Sequence, residues 1–358
     1  MKVVSQSAFA MQKREGADQG DGKPRLLAEE AVGLSTIGEQ PSKIISEVSK
    51  AIIGKEKVLE NILLAFLSNG HVLFEDLPGL AKTLAARSFA LSVGCQFKRI
   101  QFTSDLLPAD ITGSYVINRG TGSFELRKGP IFTNILLADE INRAPPRTQS
   151  ALLEAMQERQ VTIENESLVL DEPFIVLATQ NPIEYEGTYP LPEAQLDRFI
   201  MKISMGYPKP FEEKEILERR VNRGKDEVQI IQVVSKSEIL EMQKATERVY
   251  VDSEIEQYIV QIVTKTREHK AVEVGASPRG SLAILKLSRA HAWIYGRDYV
   301  VPDDIKSVAV EALSHRLILT ADSWVRGLKT NTVVEDILAN TPVPKVPERK
   351  NEANTTKQ

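Results

Sequence analysis

The sequence predicts an α/β protein, a parallel sheet sandwiched by helices, followed by a smaller all-α domain. Three observations carry this reading. Short, continuous apolar runs recur at His71-Val72-Leu73-Phe74, Ile135-Leu136-Leu137-Ala138 and Phe174-Ile175-Val176-Leu177-Ala178, the pattern of strands buried on both faces. Helical patterns such as Thr148 to Glu158 lie between those runs, which gives an alternating αβα order. From about residue 206 to 335 the texture is helical throughout, and a chain of 358 residues has room for about two domains.

In chain order, residues 1–40 are polar and are expected to form a disordered tail, apart from a short Ala/Leu patch from Leu26 to Ala31. Residues 41–205 make the αβα unit. Tyr207-Pro208-Lys209-Pro210 reads as the joint to the second domain, residues 206–335. There, 212–221, 236–249, 252–270, 278–295 and 302–317 show 3.6-residue apolar spacing, with helix starts at Ser277-Pro278 and Val301-Pro302. Residues 336–358, with three prolines and a polar end, are expected to be a flexible tail.

Composition excludes several functions. Forty-five Lys and Arg stand against 49 Asp and Glu, a net charge of −4, which argues against a dedicated nucleic-acid binder. One cysteine, Cys95, rules out an internal disulfide framework and a multi-thiolate zinc site. Four scattered histidines offer no metal-ligand spacing. No apolar run reaches the ~18 residues needed to span a bilayer. The first 22 residues lack a signal-peptide core, so a cytoplasmic placement is expected.

Two motifs carry chemistry. Glu75-Asp76-Leu77-Pro78-Gly79-Leu80-Ala81-Lys82-Thr83 follows an apolar strand and precedes a helix. In that position backbone N–H groups and a helix N-terminus cradle phosphate, a lysine reaches the β and γ phosphates, and a hydroxyl holds Mg²⁺. The strict phosphate-loop pattern fails here, with Asp76 and Ala81 standing where glycines are usual. Ala81 is tolerable if it sits at the helix start with negative φ. Taken alone, this stretch is as well described by an ordinary strand–turn–helix junction. The second motif is Asn134-Ile135-Leu136-Leu137-Ala138-Asp139-Glu140, a buried strand ending in adjacent carboxylates. Such a pair suits a metal-linked Asp139 beside a water-polarising Glu140, against the alternative of a solvated strand end.

With both motifs in hand, the chain resembles the MoxR family of AAA+ ATPases over about residues 45–325. Further segments in the same order carry the resemblance: Ile52-Ile53-Gly54-Lys55-Glu56 before the first strand, Leu107-Pro108-Ala109-Asp110-Ile111-Thr112-Gly113, and the hairpin from Ser114 to Leu126 that resembles the insert in the second helix of this clade. They continue through Asp139-Glu140-Ile141-Asn142-Arg143-Ala144-Pro145-Pro146, a second hairpin at 160–170, Ala178-Thr179-Gln180-Asn181-Pro182, Leu191 to Phe199 and Gly275-Ala276-Ser277-Pro278-Arg279.

The resemblance implies an AAA+ P-loop core with a helix-2 hairpin insert and a helical lid, using ATP and Mg²⁺. It implies nucleotide contacts from Ile53, Gly54, Asp76, Leu77, Pro78, Gly79, Leu80, Ala81, Lys82, Thr83 and Leu84, and metal contacts from Thr83 and Asp139. Glu140 is the implied activator of the hydrolytic water and Asn181 its orienting partner. Arg198 is the implied arginine finger, acting on a neighbouring subunit, and Arg279 reaches the γ-phosphate of its own subunit. Arg143 and Arg147 stand as candidates for the subunit boundary.

At the level of function the resemblance implies a homo-oligomeric, hexameric ring that remodels protein clients, often partners with a von Willebrand factor A domain. A nucleic-acid motor and a nucleotide-dependent scaffold are the alternatives. Cys95, His71, Trp293 and Tyr295 are expected to be packing residues.

Overall fold

The computed structural model describes residues 39–182 and 187–344. The expected tails, apart from the segments 39–40 and 336–344, lie outside the described residues.

The chain opens with helices α1 (Glu39–Val48) and α2 (Glu56–Leu67) and enters the sheet at β1 (Val72–Glu75). After a loop come α3 (Lys82–Ser92), β2 (Phe97–Gln101) and the short α4 (Pro108–Thr112). The first hairpin follows, β3 (Gly113–Ile117) and β4 (Phe124–Lys128), and then β5 (Ile135–Asp139). Helix α5 (Pro146–Glu158) leads into the second hairpin, β6 (Gln160–Ile163) and β7 (Glu166–Val169), and then β8 (Ile175–Gln180). A single turn, α6 (Glu193–Leu196), and β9 (Met201–Ile203) complete the first domain.

The five-stranded sheet runs β2-β5-β8-β1-β9, with every pairing parallel. The apolar runs read from sequence are its three central strands. Their alternation sorts side chains into two layers. Val72, Phe74, Ile135, Leu137, Ile175 and Leu177 join a core shared with α1–α3 and the second domain. Leu73, Leu136, Ala138, Val176 and Ala178 join the other, against α5 and the second hairpin. Burial on both faces is why these strands carry no polar alternation. The edge strand β2 escaped that signal because three of its five residues are Lys98, Arg99 and Gln101.

The second domain contains α7 (Pro210–Arg223), α8 (Lys236–Glu247), α9 (Ser253–Glu268), α10 (Pro278–Ile294), α11 (Pro302–Leu313), α12 (Ala321–Val325) and α13 (Thr330–Ala339). Ser277 caps α10 by accepting the Arg279 N–H at 3.1 Å, and Pro278 takes the first helical position, as its sequence signals predict. Helix α13 crosses the expected boundary at residue 335, because Val333, Val334 and Ile337 are buried against the domain. A two-stranded ribbon, β10 (Val272–Val274) with β11 (Ile318–Leu319), was not legible in the sequence, since each strand is too short to show a period.

Arg316 fastens the two domains. Its guanidinium, 3% exposed, donates to Asp197 Oδ1 at 2.7 Å and to the Phe199 carbonyl at 2.7 Å. Trp293 is buried, as expected, whereas Tyr295 is exposed and lies 4.7 Å from the His291 ring. Cys95 is a buried thiol, and burial pushes its pKa up to about 11, which suits an inert packing residue.

Candidate functional site

The parallel sheet places the carboxyl ends of β1, β2, β5 and β8 side by side. Glu75 pairs with Gln180, and Gln101 with Asp139. Ligands of open α/β sheets bind at such ends. A cleft of about 440 Å³ lies there, lined by Asp76, Pro78 to Leu84, Arg99, Gln101, Asp139, Glu140 and Thr179 to Asn181. The fold thus brings together most of the residues singled out from sequence. Leu77 contributes its carbonyl, which accepts from Lys82 Nζ at 3.0 Å. Ile53 and Leu84 line an adjoining cleft of about 260 Å³ with Ile216 and Val228. Leu84 lines both clefts, and the second also carries Lys50, Arg219, Arg220, Arg223 and Asp226. Beside it Gly54, at φ +68°, allows close approach of α7, where a Cβ would stand 2.2 Å from the Glu212 carboxyl carbon.

Two loop residues differ from expectation. Ala81 has φ +57° and ψ 18°, so the condition of negative φ is not met. The left-handed region costs a Cβ-bearing residue roughly 1–2 kcal/mol, which explains the glycine of the strict pattern. The neighbouring Gly79, at φ +85°, takes its left-handed turn without that penalty. Asp76 does not aim its carboxylate at the cleft. It is 6% exposed and accepts from Ser204 Oγ at 2.5 Å and Met205 N at 2.6 Å, tying the loop to the exit of β9. What Asp76 offers on the loop side is its carbonyl, held by Lys82 Nζ at 3.1 Å. Burial lowers the Lys82 pKa, opposed by the charges of Asp76, Asp139 and Glu140.

The acidic strand end is fully engaged. Thr179 Oγ1 donates to Asp139 Oδ1 at 2.6 Å and accepts the Glu140 N–H at 2.8 Å. Arg99 takes the other oxygen, Asp139 Oδ2, from Nη2 at 2.6 Å and Nε at 3.0 Å. Glu140, left-handed at φ 55°, accepts from Gln101 Nε2 at 2.6 Å and Arg143 Nη1 at 2.9 Å. Arg99 and Gln101 were missed from sequence because a polar edge strand shows no apolar run. Their spacing of two, which puts both on one face of a strand, was the available signal. Asn181 is 8% exposed and lines the same cleft.

Arg198 and Arg279 do not join this cleft. They line a different one, of about 380 Å³, with Arg159, Lys286 and Arg316, over a floor of Ser68 to His71. That floor is at the amino end of β1, whereas the phosphate loop leaves its carboxyl end. Arg279 is therefore not placed to reach the γ-phosphate of its own loop, contrary to expectation, because the lid helix α10 docks its first turn on the opposite edge of the sheet. Arg198 does not pair with its neighbour Asp197, which is taken by Arg316 and by Ser277 Oγ at 2.8 Å. Arg198 Nη1 donates to the Leu153 carbonyl at 2.6 Å, and its buried Nε has no hydrogen-bond partner among the described residues.

A parallel sheet with a phosphate loop after its first strand, an acidic strand end beside it and a helical second domain defines the AAA+ class of P-loop proteins. Comparison with known families agrees: residues 71–201 match the ATPase family associated with various cellular activities (AAA), and residues 264–337 match the AAA lid domain. The chain is 47% identical over 302 residues to the uncharacterized protein YeaC of Bacillus subtilis, covering 84% of this chain and 94% of that one. It is 44% identical over 325 residues to Chaperone MoxR1 of Mycobacterium tuberculosis, covering 88% and 85%. A crystal structure from Cytophaga hutchinsonii superposes with a TM-score of 0.83 at 42% identity, covering 88% of this chain and 99% of that one. The chain belongs to the MoxR family of AAA+ ATPases.

Proposed function

We propose that this chain hydrolyses ATP at a site completed by a second copy of itself, and that it uses the cycle to remodel protein clients. The observation that carries the proposal is the second cleft. Arg198 and Arg279 line one space whose acidic side chain, Asp197, is already neutralised by Arg316, and Arg198 also borders a neighbouring cleft that holds Glu154 and Glu158. Cations are disfavoured at a helix N-terminus, where Arg279 sits. A polyanion is the natural complement, and the chain's own phosphate loop is at the other edge of the sheet. ATP held by a neighbouring copy supplies that anion. Repeating this head-to-tail contact closes a ring, and six subunits is the number the family resemblance favours.

Within the nucleotide cleft, the loop amides and Lys82 would hold the β and γ phosphates, and Ile53 and Leu84 the base. Glu140 would accept the proton of the attacking water, with Asn181 orienting that water. Arg198 and Arg279 of the neighbour would stabilise charge on the transferring phosphoryl group. The donor set suits magnesium: the Thr83 hydroxyl and the Asp139 carboxylate line one cleft, and the described residues hold no group of three or more His, Cys, Asp or Glu that could hold a metal ion by itself. Mg²⁺ is held by one or two protein oxygens, the rest being water and substrate phosphate. When bound, it neutralises phosphate charge.

The clients fit the hairpins. Ile117 and Phe124 pair across β3–β4 and are 60% and 70% exposed, an apolar tip with no packing duty. Tyr115 Oη donates to Glu166 Oε2 at 2.5 Å, holding the two hairpins together. A von Willebrand factor A domain partner and a cytoplasmic location belong to the same reading. Against a nucleic-acid motor stands the net charge of −4.

The deciding experiment is ATP turnover per subunit across protein concentration, with size measured in parallel. Turnover that rises with assembly is expected. Turnover that stays constant in a monomer refutes the shared site.

A further inference from the structure

We infer that Arg99 is a displaceable counter-charge that competes with the metal for Asp139, so that Arg99 tunes how strongly nucleotide binding depends on Mg²⁺. The inference rests on the reading of the cleft as a nucleotide–metal site.

Two cations would share one carboxylate. Asp139 and Glu140 are adjacent carboxylates at a buried strand end, with side chains 15% and 20% exposed. Unscreened charges in such a place need partners. Both oxygens of Asp139 are engaged: Thr179 holds Oδ1 and Arg99 grips Oδ2 with two nitrogens. The Thr179 bond belongs to the sheet, since the same hydroxyl accepts the Glu140 N–H and fixes the left-handed turn. Arg99 is the mobile partner. It stands on the edge strand β2, its side chain is 46% exposed, and its second contact is the neighbouring Gln101 Oε1 at 2.7 Å. Both Arg99 bonds fall on Oδ2, so a cation or its water ligand gains that oxygen by displacing Arg99, whereas at Oδ1, which accepts from Thr179 alone, it still meets the field of the guanidinium. Gln101 then links the event to Glu140, because its amide bridges Arg99 and the Glu140 carboxylate. Arg99 is thus a positioning residue, acting through Asp139.

The test measures binding of mant-labelled AMP-PNP by fluorescence, in Mg²⁺ and in EDTA, and takes the ratio of the two affinities. Removing the competitor by Arg99→Gln is expected to raise this ratio about fivefold, the change that corresponds to losing an ion pair worth ~1 kcal/mol. Arg99→Lys, which keeps charge without the two-pronged grip, is expected to lie between. Damage to the fold would lower affinity in both conditions rather than raise the ratio. Arg143→Ala removes an equal charge from Glu140 instead of Asp139, and its ratio is expected to stay at the wild-type value. An unchanged or lowered ratio in Arg99→Gln, or an equal rise in Arg143→Ala, overturns the inference. Asp139→Asn separates the two levels: if it abolishes the Mg²⁺ effect while Arg99→Gln does nothing, the role of Arg99 falls and the site stands. If Asp139→Asn keeps the full Mg²⁺ effect, the metal reading of the cleft falls first.

Discussion

The two edges of the sheet carry charge in opposite ways. At the carboxyl edge every charged group has a partner: Arg99 on Asp139, Gln101 and Arg143 on Glu140, Lys82 on loop carbonyls. At the amino edge Arg159, Arg198, Arg279, Lys286 and Arg316 line a cleft whose one acid among the described residues, Asp197, is already taken, with Glu154 and Glu158 in the cleft beside it. The first edge balances its own charges around an open cleft. The second carries an excess of cations in its cleft, which the proposed function assigns to an anion. On the proposed function, a site divided in this way has chemistry only when two copies meet, and assembly and turnover are then coupled by charge.

The comparison breaks most visibly at Arg198. Arg198→Ala is expected to lower turnover by about 10³-fold or more, the range of arginine fingers, while nucleotide binding is kept. Mixing it with Lys82→Ala protein restores part of the activity at mixed interfaces, measured by phosphate release. Failure to rescue in well-mixed assemblies places Arg198 outside the partner's site.

Arg316 tests the opposite proposition on the same edge, that one arginine there is structural. It is buried, and burial lowers its pKa, with Asp197 opposing. Arg316→Ala leaves Asp197 without its cation and is expected to cost about 3–5 kcal/mol by urea unfolding. Arg198→Ala, half-buried with one carbonyl bond, is expected to cost far less. Equal losses would erase the distinction between a fastener and a finger.

The cationic edge also keeps protons out. Burial, with the charge of Arg159 adding to it, lowers His71 to about 3, and burial with Arg316 holds His315 well below its usual range. Both are neutral in the fold, and His71 bridges the Val176 N–H and the Met156 carbonyl at 2.9 Å each. The unfolded chain binds these protons near pH 6.5 and the folded chain does not, so stability is present above that pH and falls as pH drops toward the folded values. Each histidine contributes a slope of up to about 1.4 kcal/mol per pH unit. Urea midpoints between pH 7 and 5 measure it, and His71→Gln should flatten the slope.

The smallest effect is expected at the other edge. Ala81→Gly relieves the left-handed strain but loosens the unfolded chain, and the two nearly offset, leaving a change within about 1 kcal/mol. A large loss of stability or binding would show that the Ala81 methyl packs on something essential.

Much of this was legible in the residues. The three central strands declared themselves as apolar runs because they are buried on both faces, and α10 and α11 by their proline starts. Lys82, Thr83, Asp139 and Glu140 were legible because loop and strand end are contiguous motifs. The edge strands β2 and β9 were not, one being polar and the other three residues long. With β2 went Arg99 and Gln101.

The residues by themselves determined which groups could carry phosphate chemistry, since that depends on residue type and short spacing. Only the tertiary structure decided their partners. Whether Asp76 faces the phosphate space or braces β9, and on which edge of the sheet Arg279 arrives, are matters of packing between segments more than a hundred residues apart. Local pattern carries the period of a strand or helix, but not the direction from which a distant helix docks.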